Sequence, residues 1–450
     1  MKTPRYTTEQ LVRAALALRA EDLSRATRAS VGRCILDLLG AAWAGSRAAS
    51  ATALRRMAAQ TFPPGPADVW FSAQRLPPAA AAMVNAGAAS ALDLDDGHRG
   101  AAGHPGAAII PAVFAVAQAS KSSPLEVMAA IAVGYDVGCR VAAARDIDRL
   151  ATLSTGRWAP YGVAAAVGRL QGVAAPLLAQ ALAIAGTQAP DLAASGYSKV
   201  MGNHVKEGIP WAVLTGISAV ALAREGFTGP LDILDHPDWF DARRILAGDD
   251  FGRAVEAVYF KPYSSCRWSH AAIDALAAIL AQHPLDPSAI RKITVETFTR
   301  ALRLTNEPDP DTLEGAQYSI PFCLAVAACQ GADSLLPLAE TSLHDPRAVA
   351  LARRVELKVD ADLDHLFPAQ TPARVIVETE GDRIEKTVLA PRGDPANPLN
   401  QRDLEDKFRR LAGNGQATGQ AQAIIEAVAG FEAGGLAPLL ESLPGGATRR

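Results

Sequence analysis

The sequence lacks the features that would indicate a disulfide framework, a cysteine-based metal site or a membrane anchor. Its 450 residues include five scattered cysteines and no CxxC pair, which excludes common zinc and iron–sulfur signatures and fits a reduced, cytoplasmic location. The opening stretch MKTPRYTTEQ has no apolar core, so we expect no secretory signal. The apolar run from Gly208 to Ala223 has sixteen residues, fewer than the ~20 of a membrane span, and predicts a buried helix instead.

A strong excess of charge of either sign is also absent. The formal net charge is −3, which argues against a partner held through nucleic-acid phosphates. Apolar residues make up 49% of the chain and charged residues 20%, as in ordinary globular proteins. No repeat of about 20–50 residues is visible, which excludes a solenoid. A chain of this length predicts two domains.

The hydrophobic periodicity changes near residue 257. Before it, segments rich in alanine and glycine have helical spacing, beginning with a predicted N-cap in the stretch TTEQ at residues 7–10. After it, four alternating segments predict half-buried antiparallel strands, the last two joined by a hairpin: Arg291–Thr299, Arg353–Asp360, Ala373–Gly381 and Arg383–Pro391. We therefore predict a mainly α protein with a large all-helical domain, residues 1–257 and 392–450. A smaller α+β domain with an antiparallel sheet is predicted for residues 258–391.

Polar groups concentrate in one short stretch, LDLDDGHRGAAGHPG, between two apolar segments. Pro105 and an apolar helical segment follow His104, so we expect this histidine at a helix N-terminus, where free backbone N–H groups favour an anion. The stretch predicts a site for a carboxylate-bearing substrate. Three aspartates, two histidines and one arginine fall within twelve positions: Asp93, Asp95, Asp96, His98, His104 and Arg99.

A divalent metal is the alternative ligand for this stretch. Histidine and carboxylate side chains are suitable ligands, and the candidates would be Asp95, Asp96, His98 and His104. Their spacing matches no standard metal-binding motif. We therefore expect a site without metal.

A family resemblance extends over nearly the whole chain. LDLDD followed by GHPGAAIIPAVFAVAQ is similar to the central motif of the MmgE/PrpD family, an LDFDD-type run with a downstream HPS. That family includes 2-methylcitrate dehydratase, cis-aconitate decarboxylase and iminodisuccinate epimerase. Six further segments are similar, in the family's order: GYDVGCRV (Gly134–Val141), GVAAAVGRLQGV (Gly162–Val173), LAREGFTGPLDIL (Leu222–Leu234), FKPYSSCRWSHAAID (Phe260–Asp274), AQYSIPFCLA (Ala316–Ala325) and PRGDPANPLNQRDLEDKF (Pro391–Phe408).

The resemblance implies a fold, an assembly and a type of chemistry. The family has a large all-helical domain and a smaller α+β lid domain, and forms homodimers with the active site between the domains. Its members need no metal and no organic cofactor. In their chemistry, a base takes a proton next to a carboxylate, and cations stabilise the enediolate-like charge.

The resemblance also implies catalytic roles for four residues. Asp93 matches the family's first aspartate and His104 its HP histidine; either would move the proton. Lys206 precedes the core helix, as a family lysine does, and Lys261 matches a lysine of the lid domain. Each ammonium group would bind a carboxylate or stabilise developing negative charge. A capping aspartate, a loop histidine and solvated lysines are the structural alternatives.

One motif departs from the family pattern. Members commonly carry HPTGT, with a histidine in the site, whereas this chain has LSTGRW, with Leu153 or a neighbour at that position and Arg157 just after the glycine. His204 is a candidate to replace the missing histidine. The departure predicts a divergent member with its own substrate. Residues predicted to bind substrate are Asp96, His98, Arg157, His204, Tyr263, Arg267, His270 and Tyr318.

These features predict a metal-free lyase, most simply a dehydratase that acts next to a carboxylate or carbonyl of a small substrate. An isomerase or epimerase would return the proton to the other face, and a decarboxylase would use a related site. A non-catalytic, dimeric binding protein is the remaining alternative. The sequence does not separate these reactions. The expected partners are a small carboxylate and a second copy of the chain, with no nucleic acid, no membrane and no cofactor.

Overall fold

The chain is mainly α-helical in a computed structural model that describes residues 5–150, 152–190, 202–248, 250–413 and 415–444. Nine helices form most of the first half: α1 Thr7–Ala17, α2 Arg25–Gly45, α3 Ala49–Thr61, α4 Pro78–Ser90, α5 Pro105–Ser120, α6 Pro124–Ala143, α7 Ala159–Leu170, α8 Ala175–Thr187 and α9 Ile209–Arg224. The abundance of small residues lets these helices approach closely. A β carbon at Gly162 of α7 would lie only 2.4 Å from the carbonyl oxygen of Gly134 in α6, so this crossing requires glycine.

The first helix begins differently from its prediction. Its N-cap is Tyr6, one residue before the predicted stretch. The carboxylate of Glu9 accepts a hydrogen bond of 3.1 Å from the backbone N–H of Tyr6, which satisfies a donor that the helix leaves free. The start of α1 is therefore marked in the sequence by Glu9 in the first turn, and neither threonine is the N-cap.

The region predicted to be all-helical also contains short strands. β1 Ala67–Asp68 pairs with β2 Arg75–Leu76, and β3 Gly97–His98 pairs antiparallel with β4 Val258–Tyr259. The second pair joins the LDLDD loop to the start of the C-terminal half. The first half is otherwise helical, as predicted, and two-residue strands leave no periodic pattern from which they could be predicted.

The C-terminal half contains a four-stranded sheet covered by helices. Its strand order is β6-β5-β7-β8, where β5 is Lys292–Thr297, β6 Val355–Val359, β7 Ala373–Glu378 and β8 Arg383–Val388. The hairpin of β7 and β8 is antiparallel, as predicted, but β6 pairs with β5 in parallel. The sheet is therefore mixed and not antiparallel throughout. Helices between β5 and β6 supply the crossover that a parallel pair requires.

The remaining helices complete both halves. Those between residues 242 and 364 are α10 Ala242–Ile245, α11 His270–Gln282, α12 Leu313–Gln317, α13 Ile320–Gln330, α14 Glu340–Leu343, α15 Pro346–Ala352 and α16 Ala361–Asp364. The last four are α17 Gln401–Ala412, α18 Gln416–Ala429, α19 Phe431–Gly434 and α20 Leu436–Ser442. Helix α17 packs on α2, so the chain returns to the helical half. In the described part of the chain, every helix is too short or too polar to span a bilayer.

Buried apolar side chains form two main clusters. One contains the helices before residue 260 together with the C-terminal helices, and the other runs from Tyr263 to Val377. The LDLDD loop lies where the two halves meet, because Leu313 and Leu336 of the C-terminal half pack against a third, small cluster that contains Leu92 and Leu94. The exact domain boundaries stay a prediction. The site described below draws side chains from both halves.

Candidate active site

The centre of the site is a buried carboxylate that three cationic side chains surround. Nζ of Lys261 lies 2.6 Å from Oδ2 of Asp93. Nζ of Lys206 and Nε2 of His104 lie 3.8 and 3.7 Å from Oδ1 of the same aspartate. All four side chains are buried. Burial favours the neutral acid, but the neighbouring positive charges outweigh it and hold the pKa of Asp93 well below its usual range.

The loop and helix geometry brings these groups together. His104 is the N-cap of α5, as predicted, with Pro105 at the first helical position. Asp93 and Lys206 both have left-handed backbone conformations, with φ of 54° and 45°, which non-glycine residues rarely adopt. Backbone strain of this kind often accompanies functional sites. Lys261 comes from the C-terminal half, directly after β4.

The imidazole of His104 has acceptors on both sides. Nδ1 lies 3.0 Å from the backbone oxygen of Asp96 and 3.2 Å from Oδ2 of Asp95. Nε2 faces the carboxylates of Asp93 and Glu207, each at 3.7 Å. Burial alone would lower the pKa of His104, but the charges of Asp95 and Glu207 outweigh burial and raise it to about 9. The ring is therefore a cation at neutral pH and can donate a proton.

Lys206 is held by backbone and amide acceptors. Its Nζ donates to the backbone oxygen of Ser90 at 2.7 Å, to that of Ala91 at 3.4 Å and to Oε1 of Gln317 at 2.9 Å. It also lies 6.0 Å from the centroid of the Tyr318 ring. All three N–H groups of Lys206 therefore have acceptors within the protein. We expect this lysine to act on a substrate through its positive charge and not by donating a hydrogen bond.

Two cavities meet at His104, Glu207 and Tyr318, which line both of them. The larger, of about 330 Å³, contains the carboxylates of Asp93 and Asp95 at its polar end. Helices α3 and α9 form its apolar wall: Ala53, Leu54, Met57, Ile209, Pro210 and Trp211. The smaller cavity, of about 50 Å³, lies toward the C-terminal half. Within the described residues, the buried Tyr318 hydroxyl at this junction has no hydrogen-bond partner.

The smaller cavity is bordered by two arginines that enclose Tyr259. The guanidinium carbons of Arg99 and Arg267 lie 5.0 and 4.8 Å from its ring centroid. Arg99 pairs with Asp394 at 2.6 Å, and Arg267 lies 3.5 Å from the same carboxylate. His98 also lines this cavity, and burial lowers its pKa to about 4, so its ring is neutral. This cluster joins the LDLDD loop to the PRGDP segment.

Three predicted substrate-binding residues face other protein groups and are not among the residues that line the two cavities. Asp96 accepts from the Tyr135 hydroxyl at 2.6 Å, and burial raises its pKa to about 7. Tyr263 donates to Asp274 at 2.7 Å. His270 lies within 3.1 Å of the backbone oxygen of Ser265, and burial lowers its pKa well below the usual value. These contacts favour supporting roles, and the predicted binding roles stay untested.

The structure describes both His204, the candidate to replace the missing family histidine, and Arg157 of the altered motif. His204 lies on the outer part of the larger cavity, with a side chain that is 55% exposed and 3.7 Å from Glu314. Arg157 ends a short 3-10 turn and lines neither cavity. Leu153 is buried and lines the smaller cavity. Glu207, which follows His204 by three residues, places its carboxylate 3.7 Å from Nε2 of the imidazole.

Glu207 was missed in the sequence because it lies beside a lysine at the start of a helix, where an acidic residue is ordinary. Asp95 was considered in the sequence as a candidate metal ligand and not as a partner of His104, yet it is buried and its carboxylate faces Nδ1 of that histidine. No local pattern predicts a contact between residues 104 and 207. The nearest signal in the sequence was Leu153, at a position where family members commonly carry a histidine. This departure predicted that the groups around the site differ from those of the family.

The same groups raise the question of a metal. Asp93, Asp95 and His104 each place one potential ligand atom within 4.8 Å of the others. Two ammonium groups face Asp93, however, and Nδ1 of His104 points at a backbone carbonyl, which requires a proton on that nitrogen. Both features oppose a divalent cation. That the protein needs no metal stays a prediction.

Comparisons with known proteins agree with the resemblance seen in the sequence. The model of the MmgE/PrpD N-terminal domain matches residues 9–253, and that of the MmgE/PrpD C-terminal domain matches residues 263–433. Cis-aconitate decarboxylase of Aspergillus terreus is 27% identical over 444 residues, covering 91% of this chain and 90% of the relative. The enzyme of that name from Homo sapiens is 26% identical over 432 residues, covering 89% and 86%. Because the two domain models together match most of its length, the chain belongs to the MmgE/PrpD family.

Proposed function

We propose that the protein is a lyase that decarboxylates a small carboxylate substrate, with His104 as the proton donor. The observation that carries this proposal is the position of the His104 imidazole at the junction of two cavities, with carboxylates facing both ring nitrogens and favouring its charged form. A decarboxylase needs a cationic site and an acid, and the described side chains supply both. The names of the relatives support the same class of reaction.

Decarboxylation would use the site in two steps. The bond between the carboxylate and an activated carbon breaks, carbon dioxide leaves, and the electron pair stays on that carbon, conjugated with a neighbouring double bond or carbonyl. Lys206 and the imidazolium of His104 stabilise the developing charge. Nε2 of His104 then gives its proton to the carbon, and the ring is reprotonated from water.

Dehydration, which the sequence favoured first, is the second candidate. It requires the same acid to protonate the leaving hydroxide, together with a base that removes a proton next to the carboxylate. Asp93 is a weak base, because neighbouring cations hold its pKa well below the usual range. Glu207 would then have to act as the base. The need for this additional group makes decarboxylation the better-supported reaction.

The charge balance of the larger cavity limits the number of carboxylates in the substrate. Its carboxylates, Asp93, Asp95 and Glu207, outnumber its cations, Lys206 and His104. Lys261 lies behind Asp93 and only neutralises it. We therefore propose a substrate with one or two carboxylates and an uncharged remainder. Cis-aconitate, for which the relatives are named, is the comparison compound and carries three.

The experiment is a screen of mono-, di- and tricarboxylates, followed by proton NMR of the mixtures. We expect loss of carbon dioxide from at least one unsaturated mono- or dicarboxylate, with slower turnover of cis-aconitate. His104→Gln removes this turnover, whereas His365→Gln, at an exposed histidine that directly follows α16, retains it. Binding of these compounds without any conversion would favour the non-catalytic alternative, and loss of water would favour dehydration.

A further inference from the structure

Glu207 lies in a turn whose backbone directs its side chain into the site. Lys206 before it and Gly208 after it both have positive φ, at 45° and 69°. The backbone oxygen of Glu207 accepts from Gly156 N–H at 3.0 Å and from the Ser154 hydroxyl at 2.7 Å. A β carbon at Gly156 would lie 2.6 Å from that oxygen, so glycine is required there. The LSTG turn and the residue 206–208 turn therefore form one rigid unit.

Thr155 fixes the carboxylate of Glu207 and the backbone of His104 at the same time. Its backbone N–H and hydroxyl both donate to Oε2 of Glu207, at 3.0 and 2.5 Å. The same hydroxyl oxygen accepts from the backbone N–H of His104 at 3.0 Å. With Oε2 held in this way, Oε1 is the oxygen that faces Nε2 of the imidazole at 3.7 Å.

The opposite side of the ring decides where its protons lie. Nδ1 is 3.0 Å from the backbone oxygen of Asp96, which can only accept, so Nδ1 carries a proton. In the neutral ring, Nε2 would then direct a lone pair at the carboxylates of Asp93 and Glu207. That arrangement is repulsive, and a proton on Nε2 makes it attractive.

We propose that Glu207 is a positioning residue that, held by Thr155, keeps a proton on Nε2 of His104 and directs it toward the junction of the two cavities. Lys261 neutralises the charge of Asp93. Glu207 is therefore the carboxylate facing Nε2 whose negative charge acts on the imidazole. Asp95 acts from the Nδ1 side. The inference extends the proposed function by naming the group that maintains the proton donor.

Several charged or titratable groups act on the ring besides Glu207. The positive charge of Lys261 lowers the pKa of His104, whereas Asp95 and Glu207 raise it to about 9 against the effect of burial. These groups come from the LDLDD loop, the turn before α9, and the C-terminal half of the chain. Among the described residues, the groups on or beside the ring are Asp93, Asp95, Glu207, Lys206, Lys261 and Tyr318.

The experiment measures the protonation of His104 by NMR of the nitrogen-15-labelled imidazole, with its signals assigned by their loss in His104→Gln. In the unaltered protein we expect both nitrogens to be protonated at pH 7 and Nε2 to lose its proton near pH 9. In Glu207→Gln, which keeps size and loses charge, the midpoint falls by about one to three pH units. Glu296→Gln, which removes a carboxylate paired with Arg374 in the sheet, leaves it unchanged.

A second variant separates charge from structure. Glu207→Asp keeps the charge but shortens the side chain by one methylene group, so the charge lies farther from the ring. We expect a titration midpoint of His104 between those of the unaltered protein and Glu207→Gln. Thr155→Val, which releases Oε2, lowers the midpoint as well. A wild-type midpoint in folded Glu207→Gln overturns the proposal; if that variant does not fold, a wild-type midpoint in both Glu207→Asp and Thr155→Val does so. No substrate is used, so this result is independent of whether the proposed lyase activity is found.

Discussion

Lys261 and Asp93 form a buried ion pair that joins the two halves of the chain. Nζ and Oδ2 are 2.6 Å apart, and the lysine side chain is fully inaccessible to solvent. The aspartate follows α4 of the helical half, and the lysine follows β4. The candidate active site is therefore complete only when the halves pack against each other, and its central charge depends on a residue 168 positions away.

Removing Lys261 should destabilise the protein more than removal of an exposed lysine. Lys261→Met leaves Asp93 buried without its nearest cation, and we expect the free energy of unfolding to fall by about 3–5 kcal/mol. Chemical denaturation measures this change. Lys292→Met, which removes a solvent-screened pair with Glu356, should lower the free energy of unfolding far less.

The double variant Lys261→Met with Asp93→Asn provides the internal control. Because the asparagine is neutral, much of the lost stability should return. If the single and double variants are equally unstable, the destabilisation comes from lost packing, and the ion pair is not its cause.

Stability should fall as pH rises from neutral to alkaline. His104 has a folded pKa of about 9, raised from an ordinary value of 6.5, so its contribution is fully present below pH 6.5 and is lost as pH rises through 9. Each unit of difference between the folded and the unfolded pKa of His104 is worth about 1.4 kcal/mol, so the loss of stability reaches about 3 kcal/mol. Denaturation between pH 6 and 10 measures this slope. His104→Gln should flatten the curve, and an equal slope in both proteins would contradict the assigned charge.

The pair of Arg99 and Asp394 should couple the LDLDD loop to the PRGDP segment. Their atoms are 2.6 Å apart, and both side chains are largely buried. A double-mutant cycle of Arg99→Met and Asp394→Asn should give a coupling of about 0.5–3 kcal/mol. The exposed pair Arg291 and Glu380, at a similar distance of 2.7 Å, should give less than half of that coupling. Equal couplings would mean that the buried pair has no special role.

A chelator should leave the protein unchanged. Two ammonium groups face Asp93, so a divalent cation on Asp93, Asp95 and His104 would meet repulsion. We expect dialysis against EDTA to alter neither the melting temperature nor turnover. Zinc or manganese that restores lost activity after dialysis would show that these three residues bind metal.

The sequence predicted the residues of the site better than their partners. The position of His104 followed from Pro105 and the apolar helix behind it, which are local signals. The meeting of Asp93, Lys206 and Lys261 followed from the family resemblance. The contact between His104 and Glu207 followed from neither source, because it depends on the positive φ values around Glu207 and on the turn at Thr155.

Strand direction shows the same limit in the fold. Alternating residues predicted the four strands of the sheet, and the hairpin signal at Gly381 gave the pairing of β7 with β8. Alternation carries no information on direction, however, so the parallel pairing of β6 with β5 was missed. It depends on where the intervening helices pack, which is a property of the whole half.

Solvent-deuterium labelling tests the central claim, that His104 donates a proton during loss of a carboxylate. The reaction is run in deuterated water on the best substrate from the screen, and the product is examined by NMR. We predict one deuterium on the carbon that lost carbon dioxide, and at least a hundredfold slower turnover in folded His104→Gln. Unchanged turnover in that variant, or a product without deuterium at that carbon, would contradict the account.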